Sequence, residues 1–507
     1  MRSPRRNVPV GLAALAVLTA LSGCGSGAAA DRPSVILVTL DTTRPDFFGC
    51  YGHPGGHTPS FDALAAEGTR FSHAVTSSAL TPVAHASILT GLYQYGHGLR
   101  VIAAPGGCKL PADVPTLATL LKRRGYRTAA IHSAFPVSGT FGLTRDFDHV
   151  DDIKVEITPR AGGRIGWDTF DAQRRSDATT RRVLDYLEGA REPFFLWIHY
   201  WDPHDPELVP PPEFVPADIP KISGRDKDGR EVEGYAKDSR IYAVELQYVD
   251  SQFGRVLAAL KARGTYDQTL IAVVADHGEG LEDGERDHGW AAHRILYEEQ
   301  IHVPLILRLP GAPAGRVVDE LVRTVDLFPT LLDYADVAGP AVHGRSLRAL
   351  VEGRADAPRT AYADQVNAFD LHAVMLQARP QADFLYCAMD ARWKLIYRPT
   401  APASSELYDL ESDPDELQNL FEREPAQALR LLRELARSDG WVTRMFAGEA
   451  LTEEELLLLE GLGYTGTGED QRGPDPNWRW SCPADGELAD ERGACARCGG
   501  PLVLVKR

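Results

Sequence analysis

Three uninterrupted apolar runs, each closed by an aspartate, constrain the fold of this chain more than any other feature. "SVILVTL" runs into Asp41, "PFFLWIHY" into Trp201 and Asp202, and "QTLIAVVA" into Asp276. A strand that is apolar at every position, rather than at every second one, is buried on both faces. Between the runs lie segments with helical spacing. "TPSFDALAAEG" has an N-cap threonine, a first-turn proline and a closing glycine. "TLATLLKRRGY" and "IYAVELQYVDSQFGRVLAAL" repeat apolar residues every three or four positions. Buried strands alternating with such helices predict an α/β protein with a mostly parallel central sheet. Ligands of these sheets sit beyond the carboxyl ends of the strands. Asp41, Asp202 and Asp276 are therefore expected at one sheet edge. Singly, each reads equally as a turn or helix-cap aspartate; together they mark a candidate site.

The 507 residues suffice for one large domain with attachments. A formal net charge of -17 argues against a nucleic-acid partner, which would call for a basic face. An anionic substrate stays compatible, because a bound cation reverses the field of a pocket. At the N-terminus, Arg2, Arg5 and Arg6 precede "VGLAALAVLTAL", too short for a comfortable membrane span, and then "LSGC". This resembles a bacterial lipoprotein signal over residues 1–23, with Cys24 lipidated. Residues 24–33 would be a flexible tether, and the chain would sit at the cell envelope, facing the periplasm or exterior, with the membrane as partner. The alternation spans residues 34–360. Residues 361–466 read as a smaller C-terminal α+β subdomain and 467–481 as a polar linker. Residues 482–507 carry Cys482, Cys495 and Cys498. Cys50, Cys108 and Cys387 are buried singletons or one disulfide.

Four stretches combine in order: "DTTRPDFFGCYG" (41–52), "TPVAHASILTGLYQYGHGLR" (81–100), "ADHGEGLEDGERDHG" (275–289) and "YEEQIHVPLILRLPG" (297–311). Together with "VDLFPTLL", "RWKLIY" and "ELYDLESDPDELQNL", they resemble the sulfatase family of the alkaline phosphatase superfamily. The resemblance implies an alkaline-phosphatase-like sandwich and a metal-dependent ester hydrolase. Asp41, Asp276 and His277 match the family's metal positions, and Thr81 matches the nucleophile. A hydroxyl is a poor nucleophile at its free pKa, so a divalent cation (Ca, Zn or Mn) would activate it and neutralise the ester. Thr81 joins the ligand set. Asp202 and His204 are alternative ligands for a second ion; with a single ion, His204 instead contacts the ester.

Five positions depart from the family pattern. A sulfatase nucleophile is Cys or Ser, converted to formylglycine; the methyl on the Thr81 β-carbon does not fit that conversion, so no formylglycine is expected. Thr42 replaces the second aspartate of the family's pair and His85 an arginine. Ser133 and Phe135 stand where a Lys-x-His pair is usual, and His293 replaces a lysine. "TPVAHASILTGLYQYGHG" is similar to nucleotide pyrophosphatase/phosphodiesterases, and a threonine nucleophile also resembles membrane phosphotransferases. A phosphate or sulfate ester is the implied substrate, with phosphoesters favoured. Thr81 would form a covalent ester, displaced by water or an acceptor alcohol. His85 is the catalytic partner, His199, His204 and His293 are substrate contacts, and His288 is a further candidate. A phospho-group transferase is the alternative enzyme. A non-catalytic binder of anionic glycans or lipids is the alternative of another class. The tail resembles a heavy-metal module, with zinc on three thiolates or a Cys495–Cys498 disulfide as its two readings.

Overall fold

A computed structural model describes residues 32–437, with interruptions within 105–106, 154–172, 205–209, 220–238, 282–292 and 371–378, and the backbone of three short strands beyond. Cys24, Cys482, Cys495 and Cys498, and with them the signal and tail-metal readings, lie outside the described residues.

Nine strands form the central sheet: β1 (Ser34–Leu40), β2 (Thr69–Val75), β3 (Arg127–Ile131), β4 (His149–Asp151), β5 (Phe194–Tyr200), β6 (Thr269–Ala275), β7 (His302–Arg308), β8 (Arg316–Val318) and β9 (Val322–Arg323). Their order is β8–β2–β7–β6–β1–β5–β3–β4, with β9 also on β2. The stretch β6–β1–β5–β3–β4 is parallel, as the continuous apolar runs require. All seven residues of β1, β5 and β6 are buried. The "VPLILRL" strand, β7, runs antiparallel to both β6 and β2.

Helices cover the faces, and their caps depend on tertiary partners. Helix α1 (Pro59–Glu67) starts where "TPSFDALAAEG" predicts, but Thr58 does not cap it with its side chain. The Thr58 hydroxyl donates to Asp62 Oδ1 and accepts from Gly49 N. The first-turn N–H groups of Ser60 and Phe61 instead donate to Asp250, on the long helix α5 (Ser239–Ala262). Helix α2 (Thr81–Thr90) has Pro82 in its first turn, and all ten of its residues are buried. It ends at Gly91, whose φ of 69° favours glycine. A Cβ there would meet the Phe328 ring at 2.9 Å. Helices α3 (Leu117–Arg123) and α4 (Ser176–Gly189) complete this set.

The C-terminal subdomain is a four-stranded antiparallel sheet, β10 (Ala361–Gln365), β11 (Leu385–Met389), β12 (Trp393–Tyr397) and β13 (Glu406–Asp409), with the helix Pro425–Arg437 against it. Buried ion pairs fasten it to the rest: Arg100–Asp364 at 2.6 Å, and Lys394 at 3.0 Å from Glu298. Cys50, Cys108 and Cys387 are free thiols, so no disulfide joins them. Residues 478–481, expected to end the linker, form a strand that pairs antiparallel with Leu488–Ala489 and Val503–Lys506. Among the described residues no helix is long and apolar enough to cross a membrane.

Asp250 generates a pH prediction. Burial raises its carboxyl to about 6 despite the two backbone donors. The folded state therefore holds this proton more tightly than the unfolded chain does. Its contribution to stability is full below pH 4 and falls as pH rises through 6. Urea unfolding of wild type and Asp250→Asn should show wild type losing up to roughly 3 kcal/mol relative to the variant between pH 4 and pH 7.

Candidate active site

Parallel pairing sets the ends of β6, β1 and β5 side by side. Leu40 lies level with Ala275 on one side and Tyr200 on the other. The next residues continue the ladder: Asp276 N donates to Leu40 O, and Asp41 N to Tyr200 O. Asp41 and Asp276 thus emerge abreast at the carboxyl edge, both fully buried. Asp276 Oδ1 accepts from the backbone N–H groups of Thr42 and His277. Thr42 is held at φ 44°, a left-handed conformation uncommon for a β-branched residue. The Tyr242 hydroxyl donates to Thr42 O and accepts from Arg44 N, fixing that turn. Strain of this kind concentrates at functional sites.

His277 completes the cluster. Its Nδ1 lies 2.9 Å from Gly278 O, a carbonyl that only accepts, so the ring proton sits on Nδ1. Nε2 therefore presents a lone pair, 3.5 Å from Asp276 Oδ2 and 3.3 Å from Thr81 Oγ1. Burial keeps the imidazole well below its usual range, hence neutral. Burial also drives the Asp276 carboxyl up, against its backbone donors. A lone pair facing a buried carboxylate calls for a cation between them. Ligand atoms of Asp41, Asp276 and His277 lie within 4.8 Å of one another. Two carboxylates, an imidazole and a hydroxyl form a donor set that fits a divalent ion.

Two groups of histidines flank the cluster. His85, one turn along α2, donates from Nδ1 to Thr81 O at 2.8 Å; the same nitrogen lies 3.5 Å from Asp276 Oδ2. Burial lowers its pKa to about 4. His199, on β5, reaches Asp41 Oδ2 from Nε2 at 3.1 Å, and its ring is 5.1 Å from that of His85. Burial, then the neighbouring imidazoles, keep it well below its usual range. On the other side His293 stands 5.0 Å from the His277 ring and 5.4 Å from His204, which stacks on Trp201 at 3.8 Å.

Two sequence expectations land elsewhere. The Asp202 Oδ1 accepts from Ser176 N and Oγ, the start of α4, so this aspartate caps a helix. It is not part of the Asp41–Asp276–His277 group. His288 stacks on Tyr297 at 3.8 Å, with Nδ1 3.2 Å from Glu299 Oε1. Thr81 opens a buried helix. One residue was missed. His132 immediately follows β3, is buried, and lies 3.3 Å from Asp152 Oδ1. The rule that flagged the three aspartates, a polar residue just past a buried strand, also points to it.

Convergence of this set at the carboxyl edge of a parallel sheet is the plan expected of an ester hydrolase in the alkaline phosphatase superfamily. The model of the sulfatase family matches residues 33–337, and the model described as "N-sulphoglucosamine sulphohydrolase, C-terminal" matches residues 284–438. The chain belongs to the sulfatase family. It is 25% identical to an arylsulfatase of Clostridium perfringens, over 78% of this chain and 91% of the relative. It is 27% identical to the multifunctional alkaline phosphatase superfamily protein PehA of Trinickia caryophylli, over 80% of this chain and 94% of that protein. The phosphonate monoester hydrolase of Agrobacterium radiobacter superposes with a TM-score of 0.62 at 25% identity, covering 81% of this chain and 96% of that one.

Asp276→Asn should strip the cluster of its ion. Elemental analysis after dialysis against a divalent salt should find one bound ion fewer per chain than in wild type, with the fold retained by circular dichroism. Asp202→Asn should leave the bound metal unchanged; loss of an ion there would establish a second site.

Proposed function

We propose that this sulfatase-family hydrolase cleaves a phosphorus ester through Thr81, without formylglycine. The observation that carries this reading is the position of Thr81. Its hydroxyl opens a fully buried helix and lies 3.3 Å from the His277 nitrogen that faces the Asp276 carboxylate. The β-carbon of threonine bears a methyl, so the side chain offers a secondary alcohol and no route to an aldehyde. The likeness to a phosphonate monoester hydrolase supports a phosphorus centre.

When bound, a divalent ion held by Asp41, Asp276, His277 and Thr81 supplies the positive charge that lowers the hydroxyl pKa and offsets the anionic ester. The chain's own groups do the rest. Thr81 Oγ1, its proton released to solvent, attacks phosphorus in line; the Oγ1–P bond forms as the bond to the leaving alcohol breaks. Water then attacks the Thr81 ester, the Oγ1–P bond breaks, and a proton of that water passes to Oγ1. The hydrogen bond from His85 to Thr81 O fixes the first turn of α2 and so aims the nucleophile. His204 and His293 form the opposite wall and are the proton donors to the leaving group. We further propose that lipidation of Cys24 anchors the enzyme at the cell envelope.

Activity should be measured on an aryl phosphodiester, a phosphonate monoester, a phosphate monoester and an aryl sulfate. Thr81→Ala should lower kcat on the preferred phosphorus ester by roughly 10³-fold or more. Aryl sulfate turnover as the main activity, surviving in Thr81→Ala, would falsify the reading. For the anchor, expression in a lipoprotein-processing bacterium and detergent phase partition should place wild type in the detergent phase and Cys24→Ser in the aqueous one. Equal partition of the two would sink the anchor.

A further inference from the structure

Arg294, next to His293 on the wall of the site, has a left-handed backbone with φ 87°. For an arginine this is uncommon, because the β-carbon crowds the following carbonyl; glycine is the residue such a turn favours. The conformation must therefore be held from outside, and three bonds hold it. The Asn367 Nδ2 amide donates to Arg294 O at 3.0 Å. The guanidinium Nη1 donates to Asp370 Oδ2 at 2.9 Å. The following N–H, of Ile295, donates to Gln300 Oε1 at 2.9 Å.

These partners are fixed in turn. Asn367 Nδ2 also donates to Ala382 O at 2.9 Å, and Asp370 Oδ2 also accepts from Ile102 N at 3.3 Å. Gln300 O accepts from Gly278 N, directly after His277. Asn367 and Asp370 lie just beyond β10, in the C-terminal subdomain. Only 9% of the Arg294 side chain and 1% of that of Asp370 are exposed, so solvent screens their attraction little. What this clamp places is His293. Its ring stands 5.0 Å from that of His277 and 5.4 Å from that of His204, and Nδ1 lies 3.8 Å from Glu279 Oε2. On the other side of Arg294, Ile295 and Leu296 are buried. Relaxation of Arg294 to a negative φ therefore turns His293, rather than the packed side, out of place.

We propose that Arg294 is a positioning residue: its left-handed turn, locked by Asn367 and Asp370, holds His293 against the metal cluster. Through it the C-terminal subdomain, which contributes nothing to the Asp41–Asp276–His277 group, sets the geometry of the opposite wall. Its effect on turnover rests on the reading of His293 as a proton donor; its effect on the placement of the ring does not.

The test compares Arg294→Ala with Arg294→Gly in the full chain. Both remove the guanidinium, but only glycine accepts this φ without strain. Placement is read by diethyl pyrocarbonate modification of His293, followed by peptide mass mapping. Arg294→Ala should be modified faster than wild type, and Arg294→Gly at a rate nearer to wild type. Turnover is measured on whichever ester wild type cleaves best. There kcat of Arg294→Ala should fall roughly tenfold below that of Arg294→Gly, the ratio in which the two residues populate left-handed backbone, with KM shifted less. In a His293→Ala background the two should be equal. Equal modification rates, or a kcat gap that persists without His293, overturns the proposal. Asp370→Asn is a second variant that changes no volume and leaves Arg294 in place. It should also speed the modification of His293, and an unchanged rate overturns the proposal. Wild-type kcat in His293→Ala would remove the proton-donor role alone, and the modification rates would still decide the placement.

Discussion

The register of three parallel strands is the constraint on which the rest of this protein depends. Because Leu40 lies level with both Ala275 and Tyr200, the chain leaves β1 and β6 at the same height, and two carboxylates emerge together in a buried layer. Two buried carboxylates side by side are unfavourable alone. Backbone donors from Thr42 and His277 meet one oxygen of Asp276, and a cation is the natural complement of the others. A slip of one residue in the β1–β6 pairing would separate the two and destroy the site.

Helix α2 serves that edge. Surface helices bury one stripe; this one is buried all round, because its N-terminus must reach the strand ends while its body fills the layer above them. The cost of burying Thr81 and His85 is met locally: His85 donates to the Thr81 carbonyl one turn back, and Thr81 faces His277. At His85, where the family pattern has an arginine, burial holds the imidazole neutral. In the proposed reaction the substrate's charge is balanced by hydrogen-bond donors and a bound ion, and that balance, with Thr81 as the proposed nucleophile, distinguishes the proposal from formylglycine chemistry.

Most of the site was legible before the fold. The apolar runs gave the strands because burial on both faces leaves no polar alternation, and the polar residue closing each run marks the sheet edge. Asp41 and Asp276 were legible in this way; His277, which clusters with them, and Thr81, the proposed nucleophile, were picked out by the resemblance to the family. Asp202 satisfied the same rule and proved to cap α4, since a strand end does not say whether a carboxylate turns inward or toward a helix start. His132 satisfied it too and was passed over, because a histidine beside serine carries no recognisable motif. The cap of α1 shows the same limit. Thr58 has the right residue type, but Asp250, distant in sequence, reached the free N–H groups instead.

The sequence alone thus determined the α/β class, the mostly parallel sheet, the family and the pairing of a hydroxyl with a carboxylate–imidazole set. The class and the sheet follow from periodicity, which acts locally; the family and the pairing follow from the resemblance of the motifs. Tertiary structure decided which carboxylates share a cluster and which nitrogen of each imidazole carries the proton. It also locked Arg294 into its left-handed turn through Asn367 and Asp370. Those outcomes depend on strand register and on groups contributed by other segments, and no stretch of sequence contains them by itself.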